Sequence, residues 1–208
     1  MKFGIYLPNF GLFGDARILA GLAHATEDAG WDGFFIWDHI AGWNQPIVDP
    51  WVALAAIAMS TRRIRIGTTV TPPPRRRPWK VARETVSVDQ LSGGRLTLSV
   101  GIGGGQAEYG DLGEEADPKV HGAMLDEALD VLAGLWSGET FNYSGSYYRV
   151  KETRFLPRAR RPPGDMRTAA PPGGWRPCCP SVLAKAGMTS GRLTPCASEF
   201  YRVRPGKG

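Results

Sequence analysis

A chain of 208 residues is long enough for one domain with a substantial core, and its formal net charge of +5 would by itself suggest a polyanionic partner. That excess is local: residues 1–156 carry 15 Lys+Arg against 18 Asp+Glu, whereas residues 157–208 carry 10 against 2. The basic balance therefore gives no support to a nucleic-acid-binding fold, and Cys178, Cys179 and Cys196, without a histidine cluster nearby, supply neither a disulfide framework nor a metal site.

Along the chain, Phe3–Pro8 is a short run of β-formers stopped by Pro8, Asn9 and Gly11. Asp15 suits a helix N-cap, and Ile18, Leu19, Leu22, Ala25 and Ala29 follow at helical spacing up to Gly30. Gly33–Trp37 reads as a second strand ending in Asp38-His39. Asp49-Pro50 starts another helix, because a capping carboxylate precedes a proline whose missing N–H is not needed there. Arg63–Thr71 is a third strand, Pro78–Leu91 a third helix, and Arg95–Gly101 a fourth strand running into Gly103–Gly105. Asp117-Pro118 repeats the cap-and-proline signal ahead of the apolar stripe Met124, Leu125, Ala128, Leu129, Leu132, Leu135 and Trp136. Phe141–Val150 reads as a small hairpin.

Four βα units in series, with strands read as apolar throughout, predict a parallel sheet covered by helices, either a doubly wound sheet or a (βα)8 barrel. Gly101-Ile102-Gly103-Gly104-Gly105 has no helix immediately behind it and is a weak dinucleotide fingerprint. In either architecture ligands bind beyond the carboxyl ends of the strands, which points to Pro8–Phe10, Asp38-His39, Thr68–Thr71 and Gly101–Gly105. A carboxylate and an imidazole side by side suit proton transfer, or a loop cap with a satisfied polar neighbour. The arginines Arg75–Arg77 beside Pro78 suit an anionic ligand at a helix N-terminus or a solvated basic surface. Trp37, Trp43 and Trp51 suit an aromatic ligand wall or the core.

Taken together, these pieces resemble the luciferase-like flavin- or deazaflavin-dependent oxidoreductases over residues 2–156. The resemblance rests on Ala29-Gly30-Trp31-Asp32-Gly33, Trp37-Asp38-His39, Asp49-Pro50-Trp51 and Gly67-Thr68-Thr69-Val70-Thr71-Pro72, and on Leu91-Ser92-Gly93-Gly94-Arg95-Leu96, Gly101-Ile102-Gly103 and Glu108-Tyr109. It implies a (βα)8 TIM barrel of which the first four βα units are present, with FMN or the deazaflavin F420 as cofactor and a small organic molecule as substrate. It implies catalytic Asp38 and His39, cofactor contacts from Thr68, Thr69, Val70, Gly101, Ile102 and Gly103, a cis peptide at Thr69–Val70, and no metal. Where some members carry an acid after that last glycine, Gly104 stands here.

The expected organisation is a half-barrel over 1–156 and a Pro/Arg/Gly-rich tail over 157–208, disordered or read from a shifted frame. No apolar run approaches membrane-spanning length and Met1–Asn9 lacks a signal-peptide pattern, so a cytoplasmic protein without membrane or nucleic-acid partners is expected. Half a barrel would leave open sheet edges, which makes a homo-oligomer a further expectation.

Overall fold

A computed structural model describes residues 2–42 and 44–160; most of the expected tail, from 161, and Trp43 lie outside the described residues. The elements are β1 (Gly4–Leu7), α1 (Ala16–Asp28), β2 (Gly33–Ile36), α2 (Pro50–Ser60), β3 (Arg65–Thr71), α3 (Pro78–Leu91), β4 (Leu96–Val100), α4 (Pro118–Trp136), β5 (Phe141–Ser144) and β6 (Arg149–Thr153). Caps set the helix starts. Asp15 accepts the Arg17 N–H at 2.7 Å, Asp49 accepts those of Trp51 and Val52 at 2.9 and 3.0 Å, and Asp117 accepts that of Lys119 at 2.8 Å. α3 lacks a capping side chain and relies on Pro78 at its first turn.

The four long strands form a parallel sheet in the order β1-β2-β3-β4, and β5-β6 form a separate antiparallel hairpin. Sequential parallel strands joined by crossovers of one hand place their helices on one face of the sheet, which is barrel topology rather than a doubly wound layer. Register aligns Tyr6, Phe35, Gly67 and Thr97 across the sheet, and in the neighbouring row Ile5, Phe34, Ile66 and Leu96. Phe34, Ile36, Ile66 and Leu98 are buried against Leu19, Leu54, Ile57, Val81, Val86 and Leu132 of the helices. Tyr6, Phe35, Thr97 and Ser99, which alternate with them, are half-buried. The strands are thus not apolar on both faces as the sequence reading expected. Their inner face is semi-polar because among the described residues it meets no second layer, and Leu-Thr-Leu-Ser-Val in β4 follows that alternation. No helix among the described residues is long and apolar enough to cross a membrane.

Two charged side chains clamp the α2–β3 turn at the end of the sheet opposite the carboxyl ends of the strands. The Glu27 carboxylate accepts the backbone N–H groups of Arg62, Arg63 and Ile64, the last two at 2.6 and 2.7 Å. Arg95 donates to the carbonyls of Ala58, Thr61 and Ile64 at 2.9–3.0 Å and to the Thr61 hydroxyl at 2.7 Å. Burial pushes the Glu27 carboxyl up, but the N–H groups of Ile64, Arg63 and Arg62, with the Arg63 charge, outweigh it and hold the group below the usual carboxylate range. A carboxyl lowered in the fold contributes stability above its unfolded value, near pH 4.3, and loses it as pH falls through the folded value. Glu27→Gln is therefore expected to destabilise the chain by about 2–3 kcal/mol at pH 7 in a urea titration, with the gap to wild type closing below about pH 4.

Candidate active site

The site is assembled from the segments that leave β1, β2, β3 and β4 at their carboxyl ends. Asp38 follows β2, and its side chain is fully enclosed. Its Oδ1 accepts from Nη2 of Arg75 at 2.6 Å and Nη2 of Arg76 at 2.7 Å. Both arginines come from the exit of β3, where Pro72–Pro74 turn the chain through a single 3-10 turn, Pro73–Arg75, and aim the side chains back at β2. Solvated basic surface, one of two readings of Arg75–Arg77, therefore fails for two of the three. The side chains of Arg75 and Arg76 are 2% and 13% exposed, and the anions they hold are the protein's own carboxylates, while Arg77 is exposed.

His39 stands next to this buried pair but reaches the surface, with 28% of its side chain exposed. Its Nδ1 lies 3.1 Å from Oε2 of Glu108, which comes from the 3-10 turn Gln106–Glu108 after β4. Oε1 of Glu108 accepts the Ile40 N–H at 2.7 Å, and Oε2 lies 2.7 Å from Nη1 of Arg75. Burial raises the Glu108 carboxyl, but the His39 and Ile40 hydrogen bonds and the Arg75 charge outweigh that and hold it below the usual carboxylate range. An ionised carboxylate only accepts, so Nδ1 is the donor in this pair and the neutral ring has its lone pair at Nε2. Asn9, wholly buried just past β1, fixes the backbone beneath. Its Nδ2 donates to the carbonyls of His39 and Val48, each at 2.8 Å, and its Oδ1 accepts the His39 N–H at 3.2 Å.

Trp37 packs against Tyr6, Phe10 and His39 at ring separations of 5.4–5.6 Å, whereas Trp51 is buried in the core. Thr69–Val70 is cis. The Thr69 carbonyl accepts the Tyr6 hydroxyl at 2.6 Å, and the Thr69 hydroxyl is buried with no hydrogen-bond partner among the described residues. Val70 and Ile102 are 40% and 39% exposed, two apolar side chains at the mouth. Thr68 is fully buried, its hydroxyl 2.7 Å from that of Thr71. Gly101 lies against Val70, and Gly103 has φ +68°, where a Cβ would collide with the Tyr109 hydroxyl and the Pro72 ring. Tyr109 supports that loop from below, donating to the Ile102 carbonyl at 3.3 Å, and burial first of all pushes its phenol up to about 12. Among the site residues predicted from sequence, the structure brings Asp38, His39, Thr69, Val70, Gly101, Ile102 and Gly103 to the strand ends and turns Thr68 away into the packed layer. The sequence marks Arg75–Arg77 for an external anion and Pro8–Phe10 as a strand end, but neither reading anticipates Arg75 and Arg76 on internal carboxylates, Asn9 as a clamp, or Glu108 as the partner of His39. Glu108 falls within the Glu108-Tyr109 piece of the family resemblance, four positions beyond Gly104, the position at which some members carry an acid.

The family model described as luciferase-like monooxygenase matches residues 1–176. The chain belongs to this family. An F420-dependent glucose-6-phosphate dehydrogenase of Beutenbergia cavernae is 31% identical over 199 residues, covering 92% of this chain and 54% of its own length. The 4-hydroxyprotoasukamycin monooxygenase of Streptomyces nodosus subsp. asukaensis is 34% identical over 174 residues, covering 81% of this chain and 45% of its own. The chain thus spans about half the length of the curated relatives it matches. A solved F420-dependent secondary alcohol dehydrogenase, in complex with an F420–acetone adduct, shares the fold with TM-score 0.69 at 24% identity, over 77% of this chain and 50% of that one.

The Asn9 clamp in this luciferase-like chain can be probed without any ligand. Asn9→Asp replaces two donors by a buried carboxylate facing two carbonyl oxygens, which raises the new carboxyl in the folded state. We expect a loss of about 3 kcal/mol near neutrality, read as a lower thermal midpoint, and a deficit that shrinks as pH falls from about 7 to about 4 and the carboxyl takes up a proton.

Proposed function

We propose that this chain forms the first half of a luciferase-like barrel that binds F420, or FMN in its place, across the carboxyl ends of β1–β4. On this reading it takes part in hydride or oxygen transfer with a small organic substrate. The observation that carries the reading is the half-exposed His39, braced through Nδ1 by an ionised Glu108 beside the apolar pair Val70 and Ile102. Relatives on both the F420-dependent dehydrogenase and the monooxygenase side support the class of chemistry. The buried Thr69 hydroxyl without a partner among the described residues, and the open space over Gly104 and Gly105, suit a flat heterocycle with polar edges.

Such a coenzyme, when bound, accepts or delivers the hydride. The protein does the rest. Val70 and Ile102 would pack on its faces, and the backbone around Gly101 and Gly103 would take its closest approach. His39 would move the proton at Nε2, since Nδ1 is committed to Glu108. Asp38, enclosed between two guanidinium groups, would act by holding Arg75 and Arg76 in place. A second reading, a non-catalytic half-barrel that self-associates, draws on the outer edges of β1 and β4, which pair with no strand among the described residues.

Fluorescence titration of the 208-residue chain with F420, and separately with FMN, tests the proposal. We expect saturable binding of one of them, weakened at least tenfold by Gly103→Ala. Turnover should fall about 10²-fold or more in His39→Ala while coenzyme affinity changes by only a few-fold. Absence of saturable binding for both coenzymes, with a mass that grows with protein concentration, overturns this reading and leaves the half-barrel one.

A further inference from the structure

Arg75 touches both carboxylates of the site, and its two contacts are not equivalent. Asp38 has a second cation, because Arg76 reaches the same Oδ1 at 2.7 Å. Glu108 has no second cation from an arginine or lysine among the described residues: Arg75 reaches it as an ion pair, and its hydrogen bonds come from the neutral Ile40 N–H and the His39 ring. Removing Arg75 therefore leaves Asp38 paired and leaves Glu108 as a carboxylate 8% exposed without its guanidinium. The same Oε2 that takes Nη1 of Arg75 also faces Nδ1 of His39, so one atom links the cation to the imidazole.

We propose that Arg75 is a positioning residue for proton transfer: by pairing with Glu108 it keeps that carboxylate an acceptor turned to Nδ1 of His39, and so fixes which ring nitrogen holds the proton. This rests on the assignment of His39 as the proton-transfer group. Burial disfavours the ionised carboxylate, and a guanidinium within ion-pair distance restores it. If Glu108 became protonated it would turn from acceptor to donor, and the imidazole would answer by moving its own proton to Nε2. The other charged groups packed around the pair are Asp38, Arg76 and, beyond Arg76, Glu84 at 3.9 Å, with the neutral Tyr109 phenol below. None of them reaches Oε2 of Glu108 in an ion pair or hydrogen bond among the described residues.

The test reads protons directly and needs no coenzyme. In the full chain, selective labelling would follow the Glu108 carboxyl carbon against pH and the His39 ring nitrogens at pH 8, with amide dispersion reporting folding. In wild type we expect the Nδ1–H form of His39 and a Glu108 midpoint below that of an ordinary glutamate. Arg75→Met should raise the Glu108 midpoint by about one unit or more and mix in the Nε2–H form. Arg75→Lys, which keeps the charge, should restore most of both readouts. If the methionine variant does not fold, Arg75→Gln is read in the same way. A folded neutral variant with both readouts unchanged overturns the proposal, as does a wild-type Glu108 that titrates above the ordinary range. Collapse of both neutral variants also counts against it, because Arg75 would then be a folding residue. A chain that passes this test yet binds neither F420 nor FMN separates the failure of the functional reading from the failure of this one.

Discussion

Charge balance in a buried space governs the carboxyl end of this sheet. Asp38 and Glu108 are two carboxylates removed from water, and Arg75 and Arg76 are the two guanidinium groups that neutralise them. An unpaired ion in such a place would cost several kcal/mol, so a carboxylate of the set that lost its cation would take up a proton more readily. The set also crosses the sheet: Asp38 leaves β2, the arginines leave β3 and Glu108 leaves β4. Three separate exits are thereby tied into one unit, and His39 is held between that unit, through Glu108, and the Asn9 clamp on its backbone.

The opposite end of the sheet solves its backbone problem by the same chemistry with other parts. The turn between α2 and β3 presents N–H groups one way and carbonyls the other. A single carboxylate, Glu27, takes the first, and a single guanidinium, Arg95, takes the second. Between these two polar clamps lies the apolar layer formed by the helices and the outward row of the strands. The sheet with its helices is in this sense fastened at both ends and packed in the middle.

How much of this the sequence discloses follows from distance along the chain. Caps and helix starts are local, so Asp15, Asp49 and Asp117 could be read directly, and the order of strands followed from the βα rhythm. Asp38-His39 and the Gly101–Gly103 segment were legible because strand ends and glycines are local marks as well. The partners were not. Glu108 meets His39 across 69 positions, and nothing in Gln106–Glu108 announces it. Three consecutive arginines look alike on paper, yet two fold inward and one stays in water, a division decided by Asp38, 37 and 38 residues away. Asn9 similarly reads as a strand breaker, while its side chain bridges segments 30 and 39 residues distant. The misreading of the strands as uniformly apolar has the same origin: Thr97 and Ser99 fit a buried strand until the face they point to is known.

The segment from Ile40 to Val48 is tethered at both ends. The Ile40 N–H is held by Glu108. At the far end the Gly11 N–H binds the Pro46 carbonyl at 2.9 Å, and the Val48 N–H binds the Asn9 carbonyl at 3.0 Å. Between the anchors Ala41, Gly42, Asn44 and Gln45 border an open groove of about 600 Å³. The anchors fix where this short span begins and ends, and Gly42 at φ +105° and Asn44 at φ +51° hold backbone that favours glycine and asparagine, so substitution costs least at the exposed Gln45. The span's first anchor is the carboxylate that also faces Nδ1 of His39, so the span and the imidazole are mechanically coupled through one side chain.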